Sequence, residues 1–192
     1  MGVVVAVLVA AGVIAIPLGG WDTVERRSLV VPEIALGEEY DGRHYAVRIV
    51  EAWVGDTLPE EFEEPDEGQT FVVVRAVLRN QWHEPDTFGD DALTFDALDA
   101  PSTLRKFGTL RVLSDGRHLT AMPPGVDVEV LVRWEVGADT VAAGEPLMIG
   151  IIDGRPEPAI LYSGTAWRDE KVVVRARVVP KPSSELEYPW LR

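Results

Sequence analysis
Four segments of this chain alternate apolar and polar residues with a period of two, the pattern of a strand that buries one face. In Val126–Val136, the residues Val126, Val128, Val130, Val132 and Trp134 alternate with Asp127, Glu129, Arg133 and Glu135. Thr70–Arg79 sets Val72, Val74, Ala76 and Leu78 against Arg75 and Arg79. Tyr45–Trp53 sets Tyr45, Val47 and Ile49 against Arg48, and Lys171–Val179 sets Val172, Val174, Ala176 and Val178 against Arg175 and Arg177. Weaker strands are expected over Ser28–Leu36, Leu110–Leu113, Leu147–Ile152 and Ile160–Tyr162. Asp41-Gly42, Asp115-Gly116 and Asp153-Gly154 read as hairpin turns, and Pro123-Pro124-Gly125 leads into the cleanest strand.

No helix-period pattern separates these strands, so nothing supplies the crossovers that parallel strands need. The expected sheets are therefore antiparallel. One apolar face per strand suits two sheets packed face to face. The predicted fold is all-β: an immunoglobulin-like antiparallel sandwich of about seven or eight strands, with a small closed barrel as the alternative. One helical turn is expected near Asp90–Leu98.

The start of the chain departs from this alternation. Residues 3–18 are apolar without interruption, and Asp22 is the first charge. As a helix this run is roughly 24 Å long, against about 30 Å of bilayer hydrocarbon. Gly19 to Trp21 extend it, with Trp21 placed as an interfacial aromatic. No face of such a helix is left for water, and neither a basic n-region nor a clean cleavage site marks a removable signal peptide. The reading is one N-terminal transmembrane helix at 1–21, a β-sandwich domain at 22–180 and a Pro- and Ser-rich C-terminal tail at 181–192. Arg26 and Arg27 favour a cytoplasmic domain by the positive-inside rule, whereas the acidity of the domain suits an exterior surface. The expectation adopted is a single-pass protein of the cell membrane with its domain extracytoplasmic.

Composition narrows the function classes. The 192 residues hold 32 acidic and 18 basic side chains, for a net charge of −14. A surface this negative repels nucleic acid and anionic lipid, while basic protein surfaces and cations remain suitable partners. With no cysteine, disulfides, thiolate metal sites and cysteine nucleophiles are excluded.

Candidate chemistry is sparse. His44, His83 and His118 show no metal-ligand spacing. Ser114, Asp115 and His118 lie close in sequence without a nucleophile elbow. The acidic run 60–67 lacks the spacing of a dedicated calcium loop. Asp86, Asp90 and Asp91 are the weak metal candidates, and Asp90 and Asp91 equally suit a helix cap. No cofactor is expected. Among the six tryptophans, Trp53 and Trp134 end alternating strands and read as core. Trp82, Trp167 and Trp190 fall at loop or tail positions, and Tyr188-Pro189-Trp190-Leu191 forms a tail motif. Exposed aromatics at loops are the residues of a binding surface, so Trp82, Trp167, Tyr188 and Trp190 are the candidate partner-binding residues.

The segments Gly68–Gln81, GQTFVVVRAVLRNQ, and Met122–Val136, MPPGVDVEVLVRWEV, follow a strand closed by Asn80 and a Pro-Gly turn feeding an amphipathic strand. Together with the N-terminal apolar segment, this resembles exported immunoglobulin-like domains of bacteria, especially actinobacteria. These include the superfamily named for immunoprotective extracellular proteins and related domains of unknown function. The resemblance covers roughly residues 40–180. It implies a cell-surface β-sandwich without a known catalytic site and hands over no functional residues. Members are often lipoproteins, a state that needs the cysteine this chain lacks. The expected role is a non-enzymatic, membrane-anchored binding or scaffold module for a protein partner at the cell envelope. The alternative is a calcium-dependent surface protein, or an uncharacterised envelope enzyme, using the acidic loops.

Overall fold
The computed structural model describes residues 30–58, 64–86, 92–95, 109–119, 121–159 and 165–187. The chain divides into the units Met1–Val30 and Val31–Arg192, and the fold below is that of the second. The expected transmembrane segment, 3–18, lies outside the described residues. No helix among the described residues is long and apolar enough to cross a membrane.

The fold is all-β, in two sheets. Its strands are β1 (Glu33–Ile34), β2 (Glu39–Asp41), β3 (Tyr45–Gly55), β4 (Gln69–Asn80), β5 (Leu93–Phe95), β6 (Thr109–Val112), β7 (Asp127–Gly137), β8 (Leu147–Pro158), β9 (Thr165–Val178) and β10 (Lys181–Pro182). One sheet has the order β1-β9-β8-β5. The other runs β10-β3-β4-β7-β6, with β2 also on β3.

The four clean alternations become β3, β4, β7 and β9. Inward residues of both sheets form one core: Val72, Val74, Ala76 and Leu78 of β4, Val130, Val132 and Trp134 of β7, Ile149 and Ile151 of β8, Val174 and Ala176 of β9. Phe95 of β5 meets Trp134 of β7 edge-on across the two sheets, ring centroids 5.4 Å apart. Each of the buried Val, Leu, Ile and Phe side chains contributes about 1.5–3 kcal/mol by leaving water.

Part of the second sheet is buried on both faces. This explains the unbroken apolar run Phe71-Val72-Val73-Val74 in β4. Val72 and Val74 enter the main core, while Phe71 and Val73 join Trp53, Leu58, Leu113, Leu131 and Leu186 in a second cluster. Trp53 and Trp134 are both buried, as expected, but in different clusters. The cause lies in β3, where the register shifts between Ile49 and Glu51. A bulge there exchanges the faces. Tyr45, Val47 and Ile49 point inward before it, and Ala52 and Val54 after it, leaving Trp53 on the outer side.

Several expectations are corrected. Ten strands are present among the described residues, because β2, β5 and β10 span two or three residues each, too few to show a period. Of the stretch Asp90–Leu98, where a helical turn was expected, the described residues are Ala92, which is 3-10, and Leu93–Phe95, which form a strand on β8. Antiparallel pairing is not universal: β1 runs parallel to β9, and β10 parallel to β3. The crossover rule concerns strands joined within one sheet, whereas β10 reaches β3 from the opposite sheet. Asp153-Gly154 is no hairpin turn but an irregularity inside β8, where the register with β9 shifts. Val126 precedes β7 and is exposed. Of Ser28–Leu36, Glu33–Ile34 is the strand among the described residues, and Ile160–Tyr162 lies outside the described residues.

The segment expected as a tail contributes β10 and a 3-10 turn at Ser183–Glu185. Leu186 then enters the second cluster. Lys181 Nζ reaches Glu51 Oε2 at 2.7 Å.

Candidate functional site
Three segments meet at the end of the sandwich where β2 turns into β3. The first is that turn. Gly42 donates its N–H to Tyr45 O at 3.0 Å. A Cβ on Gly42 would lie 2.5 Å from Tyr45 O and 2.6 Å from the Tyr40 ring, so the Asp-Gly signal reflects a real steric demand. The turn delivers Arg43 and His44.

The second segment follows β4. Asn80 is fully buried, and its side-chain amide donates to Glu84 O at 2.8 Å and Met122 O at 3.1 Å. Its Oδ1 accepts from Trp82 N at 2.8 Å. Residues 81–86 are therefore wrapped around one amide. Asp86 and Met122 exchange both backbone hydrogen bonds, which aims the Asp86 side chain back at the β2–β3 turn.

The third segment is the far half of the β8–β9 hairpin, from Asp153 to Pro158 and from Thr165 to Lys171. Its pairing includes Pro156 opposite Trp167. This ribbon extends past the short strands β1 and β5, which pair with only two residues of β9 and three of β8. A two-stranded ribbon is marginal by itself. Here its residues pack against the other two segments.

Two anchors make the junction. Asp153 is 8% exposed. Its Oδ2 accepts from Tyr40 Oη and Arg43 N, each at 2.9 Å. Its Oδ1 accepts from His44 N at 3.3 Å and Gly154 N at 2.8 Å. Burial, with the Asp153 carboxylate beside it, pushes the Tyr40 phenol up to about 12. The second anchor is His44, whose Nε2 lies 2.6 Å from Asp86 Oδ2. The tautomer carrying the proton on Nε2 donates to that carboxylate. The imidazole stacks on Trp167 at 3.7 Å and 13°, and on Tyr45 at 3.9 Å and 22°.

Trp82 completes the cluster. It meets Trp167 edge-on at 5.5 Å, and its Nε1 donates to Thr165 Oγ1 at 3.2 Å. Both tryptophans are half-buried, and His83 beside Trp82 is exposed. The result is a held aromatic edge with polar rims.

Trp82 and Trp167, expected separately from the sequence, are thus brought into contact. Tyr188 and Trp190 lie outside the described residues, as do Asp90 and Asp91. Asp86 directs its carboxylate at His44. Among the described residues, no group of three or more His, Asp or Glu side chains could hold a metal. Sequence reading missed His44, Asn80 and Asp153. The Asp-Gly of the turn and the Asn closing β4 were visible signals of local shape, but nothing in the sequence joins His44 to Asp86 or Asp153.

No family model and no curated protein matches this chain. Among solved structures, it is similar to an uncharacterized beta-sandwich protein of Clostridium difficile 630, at 8% identity and a TM-score of 0.48, over 81% of this chain and 99% of that one. It is also similar to a candidate lipoprotein of Bacillus subtilis, at 12% identity and a TM-score of 0.37, over 73% of this chain and 38% of that one. A third likeness is a conserved hypothetical protein of Bacillus anthracis, at 13% identity and a TM-score of 0.36, over 68% and 93%.

Proposed function
We propose that this protein is a non-enzymatic binding or scaffold module, and that the Trp82–Trp167 edge is where it meets a protein partner. In this reading the module is an immunoglobulin-like sandwich, tethered by residues 1–21 and displayed outside the cytoplasm at the cell envelope. The observation that carries the partner reading is the contact of two half-buried tryptophans from distant segments, each fixed by its own hydrogen bonding or stacking. Half-exposed aromatic rings held rigidly lose little conformational entropy on binding and are the residues that dominate interfaces. The uninterrupted apolar run 3–18 supports the tether.

Crosslinking in intact membranes, followed by purification of the protein, tests the partner site. The wild-type chain is expected to carry a discrete crosslinked partner. Trp82→Ala with Trp167→Ala is expected to lose it, while circular dichroism still reports a folded sandwich. Equal capture by both proteins would overturn the assignment of this edge. Protease treatment of whole cells bearing a C-terminal tag tests the location, since protection of the tag would place the domain on the cytoplasmic side.

A further inference from the structure
A strand edge offers unpaired N–H and C=O groups to any other chain. In most of this fold short strands border the long ones: β2 and β10 lie along β3, and β6 along β7. The β8–β9 ribbon is bordered only in part. β5 pairs with β8 at Ile149, Gly150 and Ile151, and β1 pairs with β9 at Arg175 and Ala176. From Ile152 to Pro158 and from Thr165 to Val174, each ribbon strand has the other as its paired strand among the described residues. Both therefore present an outer edge beside the tryptophans.

The β8 edge lacks donors. Pro156 is paired with Trp167 and Pro158 with Thr165. In an antiparallel pair, residues alternately turn their N–H and C=O toward the partner strand and away from it. Proline has no N–H, so within a ladder it takes positions whose nitrogen faces out. Arg155 and Glu157 therefore bond to β9, and Pro156 and Pro158 face the outer edge. Gly154, at the register shift between Asp153 and Arg155, gives its N–H to Asp153 Oδ1 at 2.8 Å. Gly154, Pro156 and Pro158 thus offer no free N–H to an added strand.

The β9 edge is broken differently. Asp169 has a φ of 53°, a left-handed conformation that interrupts extended backbone. Arg155 Nε lies 2.7 Å from its Oδ2. Arg168, Asp169, Glu170 and Lys171 are four successive charged residues, and charge along an edge opposes pairing. Residues directly opposite each other share a face of the ladder, so the Pro156 ring stands on the same face of the ribbon as Trp167.

We infer that the ribbon is built to refuse an added strand, and that Pro156 and Pro158 are the residues that refuse it. A partner then reaches this end of the molecule through the side chains of the tryptophan edge. It meets them with a folded surface, not with an extended segment paired to the ribbon backbone. The statement about the partner rests on the partner reading, whereas the guarded edge does not.

The full chain, purified in detergent, is compared with Pro156→Val, Pro158→Thr by size-exclusion chromatography and light scattering over a range of concentrations. Both substitutions introduce strand formers that carry an N–H. The double variant is expected to gain a concentration-dependent species of about twice the wild-type mass, one ribbon edge paired with another. Glu157→Thr is expected to keep the wild-type mass, because position 157 already bonds to β9. Backbone amide exchange reads the edge directly. The amides gained at 156 and 158 should exchange freely in dilute protein and slow as the larger species forms. A wild-type mass for the double variant at every concentration would overturn the guard, as would equal association of Glu157→Thr. Protection of the new amides in dilute, unassociated protein would also overturn it, since they would then face β9. If the double variant fails to fold, Pro158→Thr alone, at an exposed position, is read by the same mass and exchange. Loss of the guard would leave the crosslinking result intact, and loss of the crosslink would leave these masses intact, so the two proposals fail separately.

Discussion
The centre of the β3–β4–β7 sheet is buried and the His44–Trp82–Trp167 end is partly exposed, and different physics holds each together. The centre is almost wholly apolar. Val72, Val74, Ala76 and Leu78 face Ile149, Ile151, Val174 and Ala176, and the burial is non-directional. The aromatic end is directional. Four donors converge on Asp153, three hydrogen bonds radiate from the Asn80 side chain, and His44 lies between two rings. The first kind of region is expected to set global stability. The second is expected to set the geometry of a surface, and to fail locally when one polar group is removed.

The sharpest test of this contrast lies in the core. Leu78→Ala should lower unfolding stability by about 2–5 kcal/mol, from lost burial and the cavity it leaves, read by urea denaturation. A smaller loss would mean that the two sheets close over the gap more readily than close packing allows.

Next comes Asp153→Ala. It leaves the N–H groups of Arg43, His44 and Gly154 without their acceptor, and about 1–3 kcal/mol is expected to be lost. The directional reading also predicts where the damage falls: backbone amide exchange should rise in the β2–β3 turn and the ribbon and stay low in β4 and β7. Uniform loss of protection would erase the distinction between the two regions.

A third test uses pH. Tyr40 titrates near 12 in the fold against about 10 for a free phenol. A raised value means the folded state holds the proton more tightly. Its stabilising contribution is therefore complete below about pH 10 and lost as pH rises from there through 12. Absorbance titration of the phenolates should show a late component that shrinks by one tyrosine in Tyr40→Phe. If every tyrosine titrates near 10, the Tyr40–Asp153 contact is not maintained.

The smallest effect is expected at Lys181. Its ammonium is held above the ordinary lysine range by hydrogen bonding to Glu51, yet the pair is solvent-exposed and such pairs add little. Lys181→Met should leave the melting temperature unchanged within error. A clear drop would show that β10 depends on this ion pair rather than on Leu186.

By itself, the sequence determined the central strands and their inward residues. Period-two alternation is forced wherever a strand buries one face, and β4, β7 and the inner half of β9 obey it. It determined local shape at Asp41-Gly42 and at Asn80, where only certain residues fit. The apolar run at 3–18 is likewise a property of sequence alone. Tertiary structure decided the rest. The bulge at Val50 put Trp53 on the outer face, because a single extra residue reverses every side chain beyond it. Strands of two or three residues exist only because a longer neighbour offers an edge. The contacts joining His44 to Asp86, Asp153 and Trp167 span 42, 109 and 123 positions. No local pattern encodes such pairs, since they arise only when two sheets and a ribbon have already folded around the same point.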